Sequence, residues 1–122
     1  MSARVFLPSF PILNAASLAS SLTSSPTNIS LLDNVGIQAD IASGDAAGTL
    51  AVQVSATYEQ DAQGNVLNAG TWVTLTSQAI AAGAPANSYF DLNQMSAPWI
   101  RLIYTRTSGS GTITATIVAK KV

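Results

Sequence analysis

Six carboxylates, Asp33, Asp40, Asp45, Glu59, Asp61 and Asp91, are the first residues to weigh for chemistry in this chain of 122 residues. Two carboxylates at a set separation can act as acid and base in glycoside hydrolysis. Here they fall mostly in or beside turn-forming residues, and no spacing selects a pair. The run Asp61-Ala-Gln-Gly-Asn65 has a loose likeness to a calcium loop. It lacks the alternating oxygen ligands and the closing bidentate Glu of an EF-hand. Histidine and cysteine are absent. That removes the usual general base, the commonest metal ligands and all thiol chemistry, and it leaves the many serines without a partner to activate them. Gly44, Gly48, Gly109 and Gly111 sit in turns and match no phosphate-cradling loop. The residues point to a protein that is not an enzyme and uses no metal or cofactor.

Binding chemistry rests on the aromatic residues. Tyr58, Trp72, Tyr89, Trp99 and Tyr104 would make a sugar-stacking platform if exposed together, and Tyr58 and Trp72, on either side of a polar loop, are the candidate glycan contacts. The competing reading makes Trp72 and Trp99 core anchors, since each begins a strand and is followed at once by aliphatic residues. If Arg101 and Tyr104 face outward, they suit a contact between subunits, where Tyr and Arg are enriched.

The elements that would position these residues are strands. Ile113, Ala115, Ile117 and Ala119 alternate with Thr112, Thr114, Thr116 and Val118, giving one core face and one Thr-coated face. Trp99 to Thr107 is rich in β-branched and aromatic residues, with Ile100, Leu102 and Tyr104 on one side. Ser108 to Gly111 between them reads as the turn of a hairpin. Val35 to Ile41 and Thr49 to Tyr58 alternate cleanly, Trp72 to Leu75 and Ser88 to Leu92 more briefly. Glu59 to Gly70, with Gly64-Asn65 at its tip, reads as a protruding hairpin or loop. A short helix over residues 14–22 is the weaker alternative to an edge strand or irregular cover segment. The pattern predicts an all-β fold, an antiparallel, jelly-roll-like β-sandwich of about seven or eight strands.

Charged residues are only 9% of the chain, against roughly 25% in typical soluble domains. Ser and Thr make up 27 residues, so the polar surface is largely hydroxyl, which costs less to desolvate than charge. Residues 1–91 carry −5 and residues 92–122 carry +4. Five basic residues and an acidic balance argue against nucleic acid as a partner. No apolar run approaches the roughly 18 residues of a membrane span, so no membrane is expected.

The start, MSARVFLPSFPILNAASLASSL, has a superficial signal-peptide look, but Pro8 and Pro11 interrupt the apolar run. It reads better as an extended arm, with residues 1–26 an arm and cover segment and residues 27–122 the sandwich domain. Val5, Phe6, Leu7, Phe10, Ile12 and Leu13 need burial, either across the chain's own core or on a neighbour.

The runs GTLAVQVSATYEQ, GTWVTL and APWIRLIYTRTSGSGTITATIVAKK resemble small β-sandwich structural proteins of tailed-bacteriophage virions. The resemblance spans roughly residues 34 to 121 and is one of strand types. It implies a non-enzymatic virion protein, made in the host cytoplasm and carried on the capsid surface: a head decoration or cement protein that stabilises the major capsid shell. Its partners would be the major capsid protein and copies of itself. The arm lies outside the resemblance; its apolar composition is what points to a homo-oligomer, a trimer before a dimer, with its six apolar residues, Arg101 and Tyr104 as the candidate assembly interface. A tail- or fibre-associated adhesin, or a carbohydrate-binding module, using Tyr58 and Trp72, is the alternative.

Overall fold

The computed structural model describes residues 6–29, 34–80, 86–92 and 97–120. Eleven strands and no helix occur among them. One sheet has the order β1-β11-β4-β9, built from Phe6–Ser17, Gly111–Lys120, Asn34–Gly44 and Ala86–Leu92. The other has the order β2-β10-β5-β8, from Leu22–Thr23, Trp99–Ser108, Ala47–Ser55 and Val73–Ile80, with β3 (Thr27–Asn28) also pairing β10. A small hairpin, β6 (Glu59–Gln60) with β7 (Val66–Asn68), is inserted between β5 and β8. All the pairings are antiparallel. Strands pair as β1 with β11, β2 with β10, β4 with β9 and β5 with β8. That is a long hairpin wrapped onto itself, a jelly roll.

The period-two faces are where their patterns put them. Val35, Ile37, Ala39 and Ile41 of β4 and Ile113, Ala115, Ile117 and Ala119 of β11 are buried, opposite Leu50 and Val52 of β5 and Ile100, Leu102 and Tyr104 of β10. Leu18, Ile29 and Phe90 complete the same core. β10 and β11 are each central in a sheet, which is why β10 buries one side and half-buries Arg101 and Ile103 on the other.

β10 and β11 do not form the hairpin that the Gly-rich turn between them predicts. β10 pairs with β5, Trp99 opposite Ser55 through Thr105 opposite Thr49, whereas β11 pairs with β1 and β4 in the facing sheet. Ser108 to Gly111 is therefore an arch from one sheet to the other. The β4–β5 connection is a second arch, and the two lie side by side. The Asp45 amide donates to the Ser110 carbonyl at 2.9 Å, and the Ser110 amide donates back to Asp45 Oδ1 at 2.9 Å. Gly109 has φ +76°, and a Cβ there would collide with the Asp45 carbonyl. Only glycine combines that backbone with so close an approach.

The N-terminal stretch is not an arm held apart from the sheet. Residues 6–17 form β1 on the chain's own β11, with Phe6 opposite Lys120 and Ser17 opposite Thr112. Pro8 and Pro11 are tolerated because β1 is an edge strand, where one row of amides has no ladder partner to lose. Irregularities between Leu7 and Phe10, Pro11 and Leu13, and Leu13 and Ala16 absorb the mismatch. At the last, Ala15 takes φ 48° and its amide donates to Thr114 Oγ1 at 3.1 Å. Of the two alternatives for this stretch, residues 6–17 take the self-covering one. The weaker helix alternative over residues 14–22 is replaced by the end of β1, a bend and β2.

Ile113 and Ile117 are fully buried at the centre of the core. Replacing either with Asp places an unpaired carboxylate there, at a cost of several kcal/mol against a total stability of about 5–15 kcal/mol. The expected outcome is loss of the cooperative thermal transition or of soluble expression. A wild-type melting temperature in either variant would contradict the register.

Candidate functional site

The Tyr and Trp residues divide into a covered cluster of Tyr58, Trp72 and Trp99, the core residue Tyr104 and the exposed ring of Tyr89. β5 ends at Ser55, whose buried Oγ accepts the amides of Thr57 and Tyr58 at 3.2 and 3.1 Å and turns the chain out into the β6–β7 insert. The insert returns through Gly70, at φ +70°, where a Cβ would lie 2.6 Å from the Tyr58 nitrogen. The Thr71 amide donates to Thr57 Oγ1 at 2.8 Å. These contacts bring Tyr58 and Trp72 together at a ring separation of 5.5 Å, and Trp99 meets Tyr58 edge-on at 4.8 Å. The Arg101 guanidinium lies 4.2 Å from the centre of the Trp72 ring, a cation–π contact. Arg101 Nε also donates to Gln53 Oε1 at 2.9 Å, and Gln53 Nε2 donates to Thr74 Oγ1 at 3.2 Å. Burial lowers the pKa of Arg101 below its ordinary value. Rings, guanidinium and amide together fasten the insert to the outer side of the second sheet.

Neither candidate glycan contact is a stacking platform. Tyr58 is buried, with its hydroxyl accepting from Gln60 Nε2 at 2.7 Å. Trp72 is half-buried, occupied by Arg101 and Tyr58, and spends its indole N–H on the Ala69 carbonyl. Trp72 is not a core anchor either, because β8 begins one residue later and its ring stays at the surface of the sheet. Tyr89 is the exposed ring, 53% accessible, on β9 of the other sheet.

The candidate assembly residues are also divided. Val5 lies outside the described residues. Phe6 and Leu7 are placed by their backbone alone, in β1. Phe10 is exposed, while Ile12 and Leu13 pack against the core. Arg101 is half-buried under the contacts above. Tyr104 faces inward instead of outward: it is fully buried, packed over Gly48, with its hydroxyl donating to the Ala47 carbonyl at 3.1 Å. Burial pushes its pKa up, opposed by the charge of Arg106. The inward face of β10 was already marked by Ile100 and Leu102, and Tyr104 follows them by period. Sequence reasoning passed over Val66, Leu67, Val73 and Leu75, four exposed aliphatics on the insert and the β8 edge. Their signal was bulk in a short run of otherwise polar residues.

Two of the carboxylates, Asp45 and Asp61, take turn positions, whereas Asp40, Glu59 and Asp91 lie in β4, β6 and β9. Asp45 joins the arches. Asp61 Oδ1 accepts the amides of Gln63 and Asn65 at 2.9 and 2.8 Å, and Oδ2 accepts from Asn65 Nδ2 at 3.1 Å. The resemblance to a calcium loop thus comes from a turn closed by its own carboxylate. Among the described residues no three metal-ligating side chains come together.

No protein-family pattern matches the chain, and no curated protein does. Among solved structures it is similar to the SPBc2 prophage-derived protein YomS, at 12% identity and a TM-score of 0.57, over 99% of this chain and 97% of that one. It is also similar to tripeptidyl peptidase 2, at 8% identity and a TM-score of 0.54, over 93% of this chain but only 10% of the much longer peptidase. At these identities the likeness establishes the shared β-sandwich fold.

The Asn65 and Gln63 hydrogen bonds, led by the Asn65 amide, hold the exposed Asp61 carboxyl below its ordinary pKa of 3.8. A depressed carboxyl stabilises its turn above the unfolded value and loses that contribution as pH falls through the folded one. The Gln63 and Asn65 amide resonances are therefore expected to move together with a midpoint below 3.8, the ordinary carboxyl value. In Asp61→Asn they would no longer titrate with this group. Unchanged titration of both amides in that variant would contradict the assignment.

Proposed function

We propose that this chain is a non-enzymatic structural protein of a phage-type virion, and within that class a decoration or cement protein on the capsid surface. The observation that carries the reading is the end-to-end match with a prophage-derived protein, which spans 99% of this chain and 97% of that one. A cement protein stabilises a shell by burying area against several neighbouring subunits at once, so its contribution is multivalent contact. Low charge and abundant hydroxyls make such contact cheap to desolvate.

The surfaces for it are Val66 and Leu67 on the insert and Val73 and Leu75 along β8, an outer strand of its sheet with exposed large side chains. Phe10 on β1 adds a second contact at the outer strand of the other sheet. The partners proposed are the major capsid protein and further copies of this chain. In this reading the exposed edges, and not an exchanged N-terminal arm, make the contacts.

Purified protein mixed with empty shells of its phage is expected to co-sediment saturably and to raise the temperature at which the shells come apart. Leu67→Asp and Leu75→Asp, both on exposed positions, should leave the fold intact and weaken shell binding about tenfold or more, a loss typical of central interface residues. Failure to bind shells, together with binding to tails or to host-cell surfaces, would overturn the cement reading.

A further inference from the structure

We propose that the outer face of the first sheet carries a glycan-binding groove, with the Tyr89 ring as its platform. This goes beyond a role in shell cohesion and uses none of the residues assigned to it. The groove holds about 360 Å³ and is lined by Asn34, Gly36, Tyr89, Asp91, Val118 and Lys120, a size within the range of small-ligand sites.

Its form follows from one glycine. Gly36 of β4 pairs with Asp91 of β9 on one side and Val118 of β11 on the other. Tyr89 stands diagonally across, opposite Gln38, within reach of an aromatic side chain. A Cβ at Gly36 would collide with the Tyr89 hydroxyl and lie 2.9 Å from Cζ and 3.3 Å from Cε1. The hydroxyl end of the ring therefore reaches over the bare glycine backbone, and Gly36 is buried beneath it. At 53% accessibility, much of the rest of the Tyr89 ring is open to solvent. A ring spent only on covering a glycine would need no polar surround. Here Asp91, two residues along the same face of β9, presents a carboxylate, and Lys120 on β11 presents an ammonium at the same end of the sheet.

A flat apolar face bordered by an acceptor and a donor suits a pyranose. The C–H side of the sugar stacks on the ring, and its hydroxyls donate to Asp91 and accept from Lys120. The covered cluster of Tyr58, Trp72 and Trp99 offers no such free face. The groove lies on the opposite sheet from the Leu75 edge, so shell contact through that edge and sugar binding do not compete.

The test is protein-observed NMR with cellobiose, lactose and N,N′-diacetylchitobiose as probes, each raised to about 20 mM, where weak single-sugar sites are detected. Saturable shifts are expected with at least one probe, confined to residues 34–38, 89–91 and 118–120. Tyr89→Phe should retain binding, since the ring face is kept, and Tyr89→Ala should lose about tenfold or more. Because Tyr89→Ala uncovers Gly36 and can disturb the sheet, Asp91→Asn serves as the second variant, with wild-type spectra elsewhere and binding weakened several-fold. No saturable shift with any probe overturns the proposal. So do shifts centred elsewhere, or affinity unchanged in both Tyr89→Ala and Asp91→Asn.

Discussion

Asp45 joins two chain crossings that are far apart in sequence, and the topology of the molecule depends on that junction. Its amide and carboxylate exchange hydrogen bonds with Ser110, 65 residues away. Gly109 supplies the left-handed backbone that lets the two crossings touch. Arg106 Nε closes the same corner by donating to the Gly109 carbonyl at 2.9 Å. With both arches pinned, β4 and β11 are delivered to one sheet and β5 and β10 to the other. Tyr104 seals the inside of this corner from β10, which explains why so large a polar ring is tolerated in the core: its hydroxyl is satisfied by Ala47.

The opposite end of the wrapped hairpin is free to carry specialised features. β5 and β8 are consecutive partners in one sheet, so an insertion between them disturbs no crossing. The β6–β7 hairpin uses that freedom and is tied down by Ser55, Thr57, Gly70 and the Tyr58–Trp72–Arg101 stack. Its exposed aliphatics are thereby held on a rigid base, a condition for any contact that must bury area without a large ordering cost. Asp45 and Asp61 close turns, and the Arg101 charge is spent on Trp72 and Gln53.

Much of this was legible in the chain. Alternation in β4, β5 and β11 located strands and inward faces, because a period of two survives whatever the strand pairs with. Partner choice was not legible. Ser-Gly-Ser-Gly between two strands reads the same whether the second strand returns beside the first or crosses to another sheet, and the deciding contact at Asp45 is long-range. Pro8 and Pro11 read as obstacles to pairing because an edge position cannot be seen locally. Tyr58 and Trp72 could be read as a free platform, or Trp72 as a core anchor, because Arg101 and Gly70, which cover and seat them, come from distant or unremarked positions. The strand over Ser88 to Leu92 was evident from its alternation, but Gly36 beneath Tyr89 emerges only from the β4–β9 register.

The central claim is the placement of β10 and β11 in different sheets, from which the core, the arches and both exposed surfaces follow. Interstrand Hα and amide contacts in a nuclear Overhauser spectrum test it most directly. Ala115 is expected to show contacts to Ala39 on one side and Leu13 on the other, and Leu102 to Val52, as their register requires. A ladder of backbone contacts running between residues 99–107 and 112–118 would restore the hairpin and contradict the jelly roll.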